Sequence, residues 1–428
     1  MSLKNPRFDT LQAHAGQIPD PATKSRAVPI YMTTSYTFDS VHDAAQVFAL
    51  EKEGNIYTRI MNPTTDVLEK RLAALESGAA GLAFASGMAA ISAAILNVAV
   101  AGDEILSAQS LYGGTYTLFS RRLPERYGIK VRLFDADDIA GMEAAVNEKT
   151  RALYFETIGN PGMNVPDFRA LVDMAHRHGL PVIVDNTFAS PYLVNLRDLG
   201  VDVVVHSLTK YVGGHGAAIG GAIIDNGIFP WKGNPRFADF NQPDESYHGM
   251  VYADTPAPFA TKARVQGLRD VGACLSPFNA FLLLLGLETL SLRVERHCRN
   301  AEKIAAFLAA HPAVSWVNYP GLPGDKYFAR KQQYLPRGAG GILTFGIRGG
   351  YQAGVKFIEA LTIFSHLANV ADAKSLIIHP ASTTHGQLSE EELLQAGVPA
   401  DMIRVSVGLE DAGDLIEDLE TALAASQR

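Results

Sequence analysis

From residue 80 to residue 225 the chain switches repeatedly between two hydrophobic periods. Short, mostly apolar runs at 81–85, 104–108, 130–134 and 152–156, with others near 182, 203 and 220, read as strands. Between them, apolar positions spaced three and four apart over 88–98, 115–123, 139–147 and 168–178 predict helices. This alternation predicts a mostly parallel sheet covered by helices on both faces. Sites in such sheets open at the carboxyl ends of the strands.

Outside this block the pattern changes. Residues 1 to about 60 are rich in Thr, Pro and Tyr with weak periodicity, which suggests an arm. A short helix is expected after Ser40, and a longer one over 66–76 after the Asn62-Pro63 turn. Residues 226–262 lose all rhythm and gather aromatics, and a loop of this length predicts a functional excursion that covers something. A helical pattern over 263–310 then leads to a second domain. Its strands are expected near 314–317, 341–347 and 403–407, and its helices at 351–361, 389–396 and 411–425, with Ser389 and Glu392 as a capping box.

Composition narrows the class. A length of 428 residues implies two or three domains, and 47% apolar with 19% charged residues is a globular balance. A net charge of −8 without a basic stripe argues against nucleic acid as a partner. The longest apolar run, 278–287, is too short to span a bilayer, and the first residues lack a signal-peptide core. Cys274 and Cys298 stand alone, with no metal-ligand spacing and no disulfide framework, so a reducing cytoplasm is expected.

The strongest chemical signal is the strand 202–206 running into Ser207-Leu208-Thr209-Lys210 and a glycine-rich tail. A lysine ending a buried strand is costly unless paired, deprotonated or covalently used. Asp185 ends another apolar run twenty-five residues earlier, so neighbouring strands would bring acid and amine to one edge. Pyridoxal phosphate chemistry needs such a pair: an amine for the aldehyde and an acid for the ring nitrogen. Taken singly, Lys210 reads as an exposed strand end and Asp185 as a turn residue. Ser86-Gly87-Met88 after a strand suits a phosphate at a helix start, or is an ordinary cap. Tyr112 can stack on a cofactor or close the core, and Tyr57 and Arg59 can meet an anion or form a rim contact. Arg404 alternates with apolar neighbours and can grip a carboxylate or point to solvent. Ser207-x-x-Lys210 also fits an acyl-enzyme pattern, but the Lys-Thr-Gly and Ser-Asp-Asn partners of that class are missing. A non-catalytic sheet protein would leave Lys210 and Asp185 unexplained.

Together the stretches Tyr57-Thr-Arg59-Ile-Met-Asn-Pro-Thr, Ser86-Gly-Met, Val184-Asp185-Asn-Thr187 and Ser207-Leu-Thr-Lys210-Tyr resemble the Cys/Met-metabolism family of pyridoxal-phosphate enzymes, over nearly the whole chain. The resemblance implies the α/β, aminotransferase-like type I fold, with a mostly parallel seven-stranded sheet domain and a smaller C-terminal α+β domain. The expected division is an arm at 1–62, a cofactor domain at 63–272 and a C-terminal domain at 273–428. By resemblance, Lys210 holds pyridoxal 5′-phosphate as the internal aldimine, Asp185 pairs with the ring nitrogen, and Tyr112 stacks on the ring. Ser86, Gly87, Met88, Asn160, Thr187, Ser207 and Thr209 complete the cofactor site. Tyr57 and Arg59 reach the neighbouring subunit's phosphate, which implies a homotetramer built from dimers with shared sites. Arg404 takes the substrate carboxylate, with Ser375, Asn160 and Tyr57 beside it. The stretches at 14–23, 158–162, 226–262 and 376–385 are similar to the branch that performs γ-replacement on O-acetylhomoserine with sulfide. The family's γ-lyases carry a cysteine where this chain has Gly114. Succinyl-ester, cystathionine-forming and lyase activities share the same cofactor residues and stay open at this level.

Overall fold

The computed structural model describes residues 5–49, 51–383, 386, 391, 393 and 397–428. Ser389 and Glu392 lie outside the described residues. Seven strands form the larger sheet: β1 (Ala80–Phe84), β2 (Glu104–Ala108), β3 (Lys130–Phe134), β4 (Thr150–Glu156), β5 (Val182–Asp185), β6 (Val203–Ser207) and β7 (Gly221–Asp225). Their order is β1-β7-β6-β5-β4-β2-β3, with only β7 running against its neighbours. The α/β type I architecture follows, and the unbroken apolar runs have a physical reason: both faces are covered. Leu106, Leu153, Val184 and Val204 point into one core with Leu68, Leu72 and Phe168. Ile105, Ala152, Ile183 and Val205, one residue out of phase, point into a second core with Ile91, Ala94 and Phe119.

Local signals set the helix ends. The Asn62 side chain accepts from the Thr64 amide and Pro63 opens the helix Pro63–Glu76, which stops at Ser77 in the left-handed region. Ser40 caps Val41–Phe48. The helix expected over 115–123 is Gly113–Thr117 followed by a π-helix, Leu118–Tyr127, with Pro124 inside it.

The N-terminal segment differs from a free arm. A helix, Phe8–His14, docks through Gln12, which exchanges hydrogen bonds with Ser291, and Arg71 donates to the Ala15 carbonyl. A single stripe of few apolar residues carried no periodic signal there. The excursion at 226–262 is ordered by aromatics: Trp231 stacks on Phe240 at 4.2 Å, with Phe229 and Phe237 edge-on. Because β7 runs antiparallel to β6, the chain leaves Asp225 beside Val203, at the end of the sheet away from Ser207. The excursion therefore seals the second core and does not cover the site.

The smaller sheet comprises β8 (Val314–Asn318), β9 (Ile342–Ile347), β10 (Ser365–His366), β11 (Leu376–Ile378) and β12 (Met402–Ser406), in the order β10-β11-β12-β9-β8. β10 and β11 are too short to show a period. The helices Leu290–Ala310, Gly350–Ala360 and Ala412–Ser426 cover this sheet through Ile304, Phe357 and Leu419.

Candidate active site

A cavity of about 280 Å³ opens at the carboxyl ends of the parallel strands, and its walls come from both sheets. Its floor is two carboxyls. Parallel register sets Glu156 level with Asp185 on β4 and β5. Burial pushes both carboxyls up, and the charge of Asp185 pushes Glu156 up further. Asp185 accepts from the Thr187 amide (2.9 Å), and Glu156 accepts from the Tyr112 amide (2.7 Å). Neither has a cationic side chain bonded to it among the described residues. A protonated ring nitrogen supplies the positive charge this pair lacks.

Opposite, Ser86 caps the helix Gly87–Leu96 by accepting from the Ala89 amide. A side chain at Gly87 would place its Cβ 2.6 Å from that of Ser207, so only glycine lets the helix start meet the end of β6. Gly87, Met88, Ser207 and Thr209 thus form a cradle with helix N–H groups at its base. Thr187 fixes it by accepting from the Ser207 amide at 2.8 Å. An anion cradle and an acidic floor at two ends of one cavity fit the phosphate and ring nitrogen of pyridoxal phosphate.

Lys210 enters from the turn after β6. Its Nζ donates to Asn369 Oδ1 at 2.5 Å. Burial first, and the charge of Arg404 second, pull the amine down to about 8. Arg404 on β12 is 5% exposed and donates to Asn160 Oδ1 at 3.2 Å. Burial lowers it to about 10, and no carboxylate pairs with it among the described residues. Tyr112 is 45% exposed at the mouth. A Cβ at Gly114 would lie 2.6 Å from its ring, so glycine there leaves the ring room.

Three expected residues are not in this cavity. Ser375 is turned away: its hydroxyl donates to Glu410 and accepts from the Gly408 amide, both at 2.9 Å. The Glu410 carboxylate takes the groups that a substrate would need. Tyr57 and Arg59 lie on the N-terminal segment, where Arg59 donates to the Arg269 carbonyl and sits over the Tyr57 ring. Conversely, Glu156 and Asn369 line the cavity and were missed. Glu156 ends its strand as Asp185 does, so the same signal was available. Asn369 lies in a loop between two very short strands and carried none.

The chain matches the Cys/Met metabolism PLP-dependent enzyme family over residues 9–424. It is 52% identical to an O-acetyl-L-homoserine sulfhydrylase of Leptospira meyeri, covering 98% of this chain and 97% of that one. It is 53% identical to O-acetyl-L-homoserine sulfhydrylase 1 of Thermus thermophilus, over 98% and 100%. A solved structure from Campylobacter jejuni, bearing N′-pyridoxyl-lysine-5′-monophosphate, superposes with a TM-score of 0.95 at 44% identity, over 97% of this chain and 99% of that one. With its lysine, acidic floor and phosphate cradle in one cavity, the chain belongs to the Cys/Met metabolism family of pyridoxal-phosphate-dependent enzymes.

Proposed function

We propose that this enzyme catalyses γ-replacement on O-acetyl-L-homoserine with sulfide, giving L-homocysteine and acetate. The observation that carries the reading is Arg404: a buried guanidinium, paired with no carboxylate among the described residues, facing the same cavity as Lys210. Bound pyridoxal phosphate supplies an electron sink for negative charge developing at the substrate α-carbon. Gly87, Met88, Ser207 and Thr209 hold its phosphate, and Asp185, with Glu156 beside it, keeps its ring nitrogen protonated. Arg404 grips the α-carboxylate, with Asn160 orienting the guanidinium. The Lys210 amine takes the α-proton, then serves the β-carbon. Acetate departs with the C–O electron pair, assisted by Tyr112 at the mouth. Sulfide forms the new C–S bond at the γ-carbon, and Lys210 returns the proton it removed from the β-carbon and then a proton to the α-carbon.

The acetyl ester is favoured over the succinyl ester on charge. Among the described residues lining the cavity, Lys210 and Arg404 are the only Lys or Arg side chains, and both have tasks. A second substrate carboxylate finds no further Lys or Arg among the described residues that line the cavity. Product analysis tests the reading. Homocysteine from the acetyl ester with sulfide supports it; an oxoacid without thiol, or cystathionine with cysteine, replaces it with a sister activity.

The working assembly in this reading is a homotetramer of dimers, with Tyr57 and Arg59 serving the neighbouring subunit's phosphate. In support, neither lines its own cavity, and the same segment exposes Ile18, Met32 and Val41. The division into segments 1–62, 63–272 and 273–428 is retained as part of this reading, supported by the two separate sheets. Two unpaired cysteines favour a reducing cytoplasm. Among the described residues no single helix is long and apolar enough to cross a membrane.

A further inference from the structure

The hydrogen bond between Lys210 and Asn369 joins the two sheets' contributions at the reacting amine. A charged lysine offers donors and no acceptor, so the amide oxygen of Asn369 is the atom that faces it. No other hydrogen bond ties the Lys210 Nζ among the described residues. The groups around the amine that carry or can acquire charge are Arg404 on β12, Asp185 on β5, Glu156 on β4 and Tyr112 on the loop after β2. Both carboxyls lie on the floor and are engaged by amides, so a neutral acceptor holds the amine.

We propose that Asn369 is a positioning residue for Lys210: its carboxamide fixes the amine between the substrate's α- and β-carbons without supplying a charge that would keep it protonated. This rests on the γ-replacement reading, in which one amine must handle protons at two adjacent carbons. A carboxylate in the same place would hold the amine equally well and favour its charged form, which is the wrong state for accepting a proton. A merely space-filling residue would leave the amine mobile. Asn369 also lies just before Val370 and Ala371, and the Ala371 amide donates to Ser406 on β12 at 2.7 Å. The acceptor is thereby tied to the strand that carries Arg404, which keeps the amine and the carboxylate grip in fixed relation.

Three variants of the holoenzyme test this. Asn369→Asp is isosteric and should move the acid-side midpoint of kcat/KM, and the midpoint of the cofactor's pH-dependent absorbance, upward by about one pH unit or more. Asn369→Ala should lower kcat by about tenfold or more, with KM for the amino-acid substrate nearly unchanged. Asn369→Gln, which keeps the carboxamide, should recover part of that loss. An unmoved absorbance midpoint in Asn369→Asp, or full kcat in Asn369→Ala, overturns the proposal. The absorbance titration needs no substrate. It therefore tests the Lys210–Asn369 link even if product analysis of the wild-type enzyme rejects the acetyl ester.

Discussion

Arg404 and Arg293 show how the same side chain can be committed or left waiting. Arg293 is buried and spends its donors on the carbonyls of Tyr211, Val212 and Gly286. Arg404 is equally buried, donates to a single neutral amide among the described residues, and faces a cavity. Burying a guanidinium without a counter-charge is costly, and a substrate carboxylate repays it. Replacing Arg404 with Ala should remove about 2–5 kcal/mol of binding and raise KM for the ester far more than it lowers kcat, as steady-state kinetics would show. Legibility at this scale depended on position. Lys210, Asp185 and Ser86 end or follow strands and were readable. Ser375 looked equally polar, and only Glu410, thirty-five positions on, decides where its hydroxyl points.

At the scale of elements, the turn after β6 and the excursion make separate predictions. Arg293 reaches from the helix Leu290–Ala310 to clamp the backbone just past Lys210. Arg293→Met should leave the buried carbonyls of Tyr211 and Val212 without a donor and cost about 1–3 kcal/mol or more. Denaturant unfolding followed by cofactor absorbance measures this. In the excursion, hydrogen bonds from Ser246 and Tyr252 hold the Asp244 carboxyl well below the usual carboxylate range. A folded-state value below the unfolded one contributes stability above the ordinary carboxylate range, and that contribution is lost as pH falls. The melting-temperature gap between wild type and Asp244→Asn should therefore narrow between about pH 7 and about pH 3. Strand and helix identities over 80–225 were legible because burial on two faces makes the strands unbroken apolar runs, while the covering helices keep apolar positions three and four apart. The excursion's role was not, since its aromatics show no period and their partners lie across the sheet.

For the whole molecule, the separation of Tyr57 and Arg59 from their own cavity matters most. If each site is completed by a neighbour's segment, two inactive variants can repair one another. Lys210→Ala and Arg59→Ala subunits, co-expressed in equal amounts and purified together, should recover about a quarter of wild-type activity, because about half the dimers are mixed and each of those holds one intact site. Activity no higher than that of either variant alone would place Tyr57 and Arg59 outside the shared site.

Taken by itself, the sequence determined most strands and helices between residues 80 and 225, and which chemical groups stand at strand ends. Both follow from local burial periods and from the cost of placing lysine or aspartate beside a buried strand. Only the tertiary structure decided that β4 lies beside β5, setting a second carboxyl beside Asp185, and that Asn369 and Arg404 return from the smaller sheet to meet Lys210 and Asn160. Those contacts join residues 159 and 244 positions apart. No local pattern encodes them, because they follow from how two separately covered sheets pack into one molecule.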